Sequence, residues 1–414
     1  MRILILLISL LITPLFGEVE AKLSGSWDTL LAVRTNDSGE FLAAKNRLQP
    51  ELEAFAGEFY FRTTINAEYN DRTPSETEVS IKEAYGEYTG TRFDLRAGRQ
   101  IIVWGKADGV QITDIVSPKD RSQAVTLDYE DTRLPVNALK ARFFGTTYTI
   151  EAIWIPFYTA DAYPENSDNP LTGLIFPEEV DFGSGPQEVS CLTAEGSLPD
   201  SISDSEIGLR GSLYLPAADI SFSLFSGWDN SPAYTMEING STITLTPDYS
   251  RIWMTGIDAA IPMGPVILRT ESAWISGRSF SRTNPLESPV RTDQIKALAG
   301  IDWNPGGGWN LTGQYIEDII PDYINYISRE KRKSSATVNI SKTLLRETLE
   351  LSAFAVLGLQ DLDSYSSCQA EYAFSDEFHL TTGGNFYMEG PDKEGEYGAY
   401  KELSSVWIRG TFSF

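Results

Sequence analysis

The chain has 414 residues, 42% of them hydrophobic and 12% aromatic, with 33 Lys and Arg against 58 Asp and Glu and a formal net charge of −25. Such an excess of carboxylates excludes a general nucleic-acid binder, because neutralising phosphates takes clustered Lys and Arg. Beyond Phe16 no stretch approaches the roughly 20 apolar residues of a membrane helix, so spanning by helices is excluded too.

The N-terminus reads Met1-Arg2, then an apolar run from Ile3 to Phe16, then Gly17-Glu-Val-Glu-Ala21. A positive start, a short apolar stretch and a Val-x-Ala site make residues 1–21 a secretory signal, with the mature chain expected from Lys22 and no Cys following for lipidation. A buried or anchoring helix is the competing reading, and the short run with Pro14 disfavours it. Export brings Cys191 and Cys368 to a compartment where disulfides form. Alternation places Cys368 on the lipid side of its strand, which argues against pairing with a loop thiol.

From Lys22 onward hydrophobicity alternates with period two, the mark of strands with two chemically different faces. Segments near 45–55 and 78–88 are weakly patterned, and Pro50 in the first lacks a ladder donor. Phe59, Phe61, Ile65 and Tyr69 oppose Arg62, Asn66 and Glu68. Ile207, Leu209, Leu213 and Leu215 oppose Arg210, Ser212 and Tyr214. The split recurs at 266–274, at 294–303 (Ile295, Ala297, Ala299, Ile301 and Trp303 against Lys296, Gly300 and Asp302), and at 336–340, 349–357 and 378–386. No strand reads as apolar on both faces.

Alternation alone would also suit a soluble sandwich, so the connections decide. Tight turns are expected around Gly57, Gly90, Gly145, Pro216, Gly264, Gly307, Leu345 and Asp376. Longer polar stretches near 70–77, 100–134, 158–203, 230–249, 278–290, 321–332 and 389–399 fall between them. That layout predicts an all-β transmembrane antiparallel barrel over residues 22–414. About 18 strands are expected, with 16 as the alternative, and with short periplasmic turns and long extracellular loops. Closure is required because lipid offers no partner to exposed backbone groups. Trp27, Trp154, Trp253, Trp274, Trp303 and Trp309 lie near expected strand ends, where aromatic girdles form, although any one of them also fits an ordinary core.

The last strand puts Val406, Ile408, Phe412 and Phe414 on one face and ends on Phe. It resembles the terminal strand read by the barrel-assembly machinery of diderm bacteria, which implies Phe412 and Phe414 as the assembly signal.

The run Leu95-Arg-Ala-Gly-Arg-Gln-Ile-Ile-Val-Trp-Gly-Lys106, followed by Asp114, Pro118-Lys-Asp120 and Glu130-Asp-Thr-Arg-Leu-Pro135, resembles an uncharacterised family of outer-membrane barrels known only as a domain of unknown function. In that family a Gly-Arg-Gln run, a Trp-Gly pair, an Asn-Pro-x-Asp-like element and an Arg-x-Pro follow in this order. Here Ser117 stands where Asn is usual. The motifs cover residues 80–136, and the resemblance implies a porin-like role in the outer membrane without naming a substrate.

Arg96 shares a face with Asp94 and Gln100, which points it into the lumen, and Gly98 and Gly105 allow the chain to bend where the strand gives way. A connection as long as 100–134 is expected to carry function, and here to fold into the barrel and narrow it. Lys106, Asp108, Asp114, Lys119, Asp120, Arg121, Asp131 and Arg133 would then line the constriction or pair to hold the loop. On the wall, Arg62, Arg92, Arg96, Lys140, Arg142, Arg210, Arg269, Lys296 and Arg409 are offset by Glu68, Asp94, Glu151, Asp258, Glu271, Asp302, Glu350 and Glu371. Such a mixed wall passes polar solutes with mild charge selectivity, or pairs across strands and stiffens the barrel.

Residues 158–206 carry Asp161, Glu165, Asp168, Glu178, Glu179, Asp181, Glu188, Glu195, Asp200, Asp204 and Glu206 with no Lys or Arg. Divalent cations such as Ca²⁺ suit this density, but without regular ligand spacing a solvated acidic loop is the preferred reading. The single histidine, His379, sits near Ser375 and Asp376, which are common turn residues. No catalytic, metal or cofactor motif is present. The expected function is a channel for small polar or amphipathic solutes in outer-membrane lipid. The alternative is an adhesin or ligand-binding barrel using the acidic loop. Oligomeric state stays open.

Overall fold

The computed structural model describes residues 19–36, 39–107, 109–110, 112–125, 129–164, 166–175, 179–181, 186–188, 190–193, 198–240, 242–393 and 395–414. Seven strands come first: β1 (Glu20–Arg34), β2 (Phe41–Ala56), β3 (Phe59–Asn70), β4 (Glu78–Thr89), β5 (Phe93–Gln100), β6 (Val136–Phe144) and β7 (Tyr148–Ile155). The next connection holds the short strands β8 (Glu179–Asp181), β9 (Pro186–Glu188) and β10 (Ser190–Thr193), and leads to β11 (Glu206–Tyr214) and β12 (Asp219–Trp228). A hairpin of β13 (Ala233–Asn239) and β14 (Thr242–Asp248) follows. The rest are β15 (Arg251–Met263), β16 (Val266–Phe280), β17 (Val290–Gly306), β18 (Trp309–Ile319), β19 (Arg332–Leu344), β20 (Leu349–Gly358), β21 (Ser364–Ala373), β22 (Phe378–Met388) and β23 (Ser405–Ser413).

All but β8–β10, β13 and β14 form one 18-stranded antiparallel sheet, which closes because β1 pairs with both β2 and β23. Closure leaves no unpaired edge to lipid. At the seam Gly25 and Phe414 exchange two backbone hydrogen bonds of 3.0 Å. A Cβ on Gly25 would sit 2.6 Å from the Gln49 carbonyl and 2.8 Å from the Phe414 ring, so the approach requires glycine. Pro50 pairs with Gly25 on one side. On the other side the ladder steps from Leu48 and Ala67 to Glu51 and Thr64 and skips it.

Each strand turns a hydrocarbon row outward. On β15, Trp253 is 65% exposed and Ile257 is exposed, while Ile252, Met254 and Asp258, of the opposite parity, are buried on the inner face. The short connections gather at one end of the barrel, here the turn end, and the longer ones at the other, the loop end. Phe59, Tyr88 and Phe93 form a file of rings at the turn end with centroids 5.2 and 5.7 Å apart, and Trp303 and Trp309 lie at the same level. Trp154, Trp253 and Trp274 face outward near the loop end. Rings with polar edges settle at such interfaces.

Four details depart from the sequence reading. The stretch 230–249 is not simply a loop, since β13 and β14 pair along it and β14 pairs in parallel with β10. Glu206 is the first residue of β11 and is 2% exposed, so it does not belong to a solvated acidic loop. Arg92 is exposed in the turn before β5 and not on the lumen wall, because the strand begins only at Phe93. Finally, some strands are apolar on both faces. Ile252 and Met254 of β15, Ala273 and Ile275 of β16, Leu298 of β17 and Ile316 of β18 point inward behind outward-facing Trp253 and Trp274. The reason is that protein fills the lumen there. Ile102, Trp104, Ile112, Ile115 and Val116 join them in one buried cluster, so the molecule's main core lies inside the barrel.

Candidate functional site: the occupied lumen

The inward segment, residues 101–135, is built from the motif residues named above, and most of them act as joints. Gln100 Nε2 donates to the Ala138 carbonyl at 3.0 Å, and Ile101 N–H donates to Glu83 at 3.0 Å. Ile102 N–H donates to Ser117 Oγ at 2.9 Å, so Ser117 supplies an acceptor to the segment's backbone. Trp104 donates from its backbone to Asp114 at 3.0 Å and from its indole to Glu151 at 2.7 Å. Arg133 returns to Asp114 at 2.9 Å, and Leu134 N–H donates to the Pro118 carbonyl at 2.8 Å.

One wall carboxylate anchors this segment. Glu271 of β16, 2% exposed, accepts from Lys106 N–H at 2.8 Å, Ala107 N–H at 3.1 Å, and both the N–H and the hydroxyl of Thr113 at 2.7 Å. A buried carboxylate needs such donors, and backbone N–H groups with no strand partner need an acceptor. Gly105, at φ +93°, makes the approach possible, since a Cβ there would lie 2.5 Å from Glu271 Oε1. Beside it Arg269 donates to the Lys106 carbonyl at 2.9 Å and pairs with Asp302 at 2.5 Å. Asp258 takes Arg210 at 2.6 Å and Lys106 at 3.5 Å.

The second half of the segment is tied to the next long connection. Asp161 accepts from Lys119 N–H at 2.7 Å, Arg121 at 2.7 Å and Ser231 Oγ at 2.6 Å. The Lys119 ammonium is buried, makes no hydrogen bond and lies 4.0 Å over the Tyr129 ring, and burial pulls it down to about 8. Burial pushes the Tyr129 hydroxyl up. Asp131 reaches Lys82 at 3.0 Å and Arg47 at 3.1 Å. Burial opposes its charge, but those two cations hold it below the usual carboxylate value.

The sequence-predicted residues therefore separate into groups. Lys106, Asp114, Lys119, Asp120, Arg121, Asp131 and Arg133 lie on the inward segment, with Asp120 accepting from Ser122 and Gln123. Asp94, Arg96, Lys140 and Arg142 stand together on β5 and β6, where Arg142 grips Asp94 at 2.5 Å and Arg96 pairs with Glu87 at 2.5 Å. Arg62 pairs with Glu51 at 2.6 Å, and Arg210 and Arg269 serve the Asp258 and Asp302 wall. Lys296 lines a separate cavity at the loop end. Asp108, Glu165, Glu178 and Glu195 lie outside the described residues. Of the acidic connection, Asp161 is buried among donors, Asp168 accepts from Ser75, and Asp204 closes a capping box with Ser201. Among the described residues no group of three or more His, Cys, Asp or Glu is placed to hold a metal. His379 Nδ1 lies 2.8 Å from Glu371, and Ser375 Oγ accepts from Glu377 and Phe378 N–H as a turn residue. Cys368 is a free thiol exposed on β21.

Between the inward segment and the wall of β1 to β5 runs a cavity of about 440 Å³. Lys45, Arg47, Lys82, Arg99, Arg133 and Arg409 line it with Asp28, Glu68, Glu78, Asp120 and Asp131. The sequence reading passed over Lys45 and Lys82, whose parity on the weakly patterned strands was the available signal, and Arg99, whose parity with Phe93 and Leu95 points outward. A second cavity, about 850 Å³, opens at the loop end and is lined by Arg278, Lys296 and Arg329 and by Tyr365, Tyr387 and Tyr400. The two share Asp120 and Gln123.

The fold is that of the porins. It is similar to Pseudomonas aeruginosa OccK8 (OprE), with a TM-score of 0.56 at 9% identity over 95% of this chain and 98% of that one. Pseudomonas aeruginosa OccK3 (OpdO) gives 0.55 at 9% identity over 95% and 96%. OccK2 (OpdF) of the same organism, in complex with glucuronate, gives 0.53 at 10% identity over 95% and 97%. No curated protein sequence matches the chain. A closed, outwardly apolar barrel of this fold is an outer-membrane protein. Residues 21–185 match the family described as protein of unknown function (DUF1302), in keeping with the resemblance of residues 80–136.

Proposed function

We propose that the barrel is a channel for small polar or amphipathic solutes, which pass along the β1 to β5 wall beside the inward segment. One observation carries this reading: a segment pinned by Glu271 fills the β11 to β18 side of the lumen, and a charged cavity remains on the other side. The cavity lining mixes both signs, which favours hydrated solutes and sets mild charge selectivity. In this reading Lys106, Asp114, Lys119, Arg121 and Arg133 position the segment, while Asp120 and Asp131 edge the passage. Phe412, on the outward row of β23, and Phe414, just past its end, serve as the signal for the assembly machinery, and the loop end faces the cell exterior.

The test is reconstitution of the folded mature chain in planar bilayers. Discrete conductance steps are expected. A correctly folded barrel that gives no steps overturns the channel reading and favours a plugged, ligand-binding barrel.

A further inference from the structure

The loop-end cavity contains an arrangement that passage alone does not require. Phe354 of β20, Tyr365 of β21, Tyr387 of β22 and Tyr400 of the connection before β23 form a continuous file of rings on the inner face. Successive centroids are 6.3, 4.8 and 5.8 Å apart and every pair is tilted. The three tyrosines line the cavity and are half-buried, so ring surface faces its interior. Phe354 carries the file inward to the segment at Gly109, whose ideal Cβ position lies 3.5 Å from the Phe354 ring.

The file is in the wrong place for a purely structural role. Aromatic residues that anchor a barrel belong on its outer face at the interfaces, whereas these stand in the lumen, where water is the default neighbour. Tyr387 and Tyr400 do pack against the cluster around Trp407 and Leu403, but Tyr365 is no member of that cluster.

The same cavity is lined by four cationic and five carboxylate side chains, among them Arg278, Lys296 and Arg329 with Asp229, Asp318 and Glu396. Arg278 makes a two-pronged contact with Asp229 at 2.6 and 2.7 Å, and Arg329 reaches Asp318 at 3.1 Å. A nearly balanced set of charges, most of them fixed in ion pairs, offers little net attraction to an ion, yet it presents fixed donors and acceptors side by side. A cavity of about 850 Å³ with a ring wall and a few fixed polar groups is of the size and make-up of a small-molecule site.

Building on the channel reading, we infer that the loop-end cavity is a binding site for neutral sugars. The flat apolar face of a pyranose lies on the Tyr365, Tyr387 and Tyr400 rings, and its hydroxyls, each both donor and acceptor, bond the mixed-charge wall. The site would hold one or two sugar units above the passage and feed them along the file toward the inward segment.

Maltotriose is the probe, with glucuronate as the charged comparison. Isothermal titration of the folded barrel in detergent is expected to show saturable maltotriose binding in the millimolar range or tighter, and maltotriose added on the loop side is expected to interrupt the single-channel current. The double variant Tyr365→Ala with Tyr387→Ala should weaken binding at least tenfold, and Tyr365→Phe with Tyr387→Phe, which keeps the rings, should stay within a few-fold of the native chain. Folding of both is checked by heat-modifiable gel mobility. A barrel that conducts but binds no maltotriose overturns the sugar site and leaves the channel reading standing. Binding of glucuronate alone, or equal maltotriose binding by a folded alanine variant, also overturns it. Saturable binding without conductance supports the site and contradicts the channel.

Discussion

Thr113 donates twice to Glu271 Oε1, from its backbone N–H and from its hydroxyl, at 2.7 Å each. The residues are 158 positions apart in sequence, and this contact seats the tip of the inward segment on the barrel wall.

Replacing Glu271 with Ala removes the acceptor of four hydrogen bonds at once. A hydrogen bond to a charged group contributes about 1.5–3 kcal/mol, so the segment loses its seat although the barrel ladder is untouched. Single-channel recordings are expected to show conductance raised at least about twofold with new current noise. Native conductance with quiet traces would show that the segment is held elsewhere.

Lys119 gives a pH dependence of definite sign. Its ordinary value of 10.5 falls to about 8 on burial, so below about pH 8 the folded state bears the cost of a charged amine without hydrogen bonds. That cost lifts as the pH climbs from about 8 toward 10.5, with an upper bound of about 3 kcal/mol. The variant Lys119→Met should therefore raise the urea midpoint at pH 7 and lose that advantage at pH 10. An equal difference at both values counts against the buried ammonium.

Gly98 sits in β5 at φ +132°, with a Cβ there falling 2.3 Å from the Ala84 carbonyl. Gly98→Ala is expected to cost about 1–3 kcal/mol and to lower the temperature at which the barrel loses its compact gel mobility. An unchanged temperature would mean that β5 relaxes without strain.

The two faces of β15 make opposite predictions. Ile257 is exposed near the middle of the strand, so Ile257→Lys should destabilise the barrel by about 2–4 kcal/mol in denaturant titration in lipid. Asp258 next to it faces Arg210 and Lys106 on the filled side of the lumen, and Asp258→Asn should instead leave assembly intact and, away from the β1 to β5 passage, leave the reversal potential unchanged. If the lysine variant folds with native stability, that row does not face hydrocarbon.

The barrel was legible because its outward row obeys lipid everywhere, from Phe59 to Phe412, and a period of two survives without any knowledge of partners. The lumen was legible only where it is wet. Parity found Arg62, Asp94, Arg142, Arg210 and Arg269, each a member of an ion pair. It misplaced Arg92, because parity continues past the point where a strand starts. It also hid the apolar interior at Ile252, Met254 and Ile275, where alternation weakens because protein replaces water. That weakening is itself a signal: Trp253-Met254 and Trp274-Ile275 put apolar side chains on both faces and mark where something apolar must fill the barrel. The β13 to β14 hairpin was taken for loop because it is short and outside the main sheet. The contact of Glu271 with Thr113 is set by the packing of distant segments, which no local pattern encodes.

The occupied lumen is tested most directly by the conductance of a barrel lacking residues 107–130, recorded beside the native chain in the same bilayer. A passage confined to one side of the lumen predicts several-fold larger steps once the segment is gone. Steps of native size from a folded deletion variant would contradict the account.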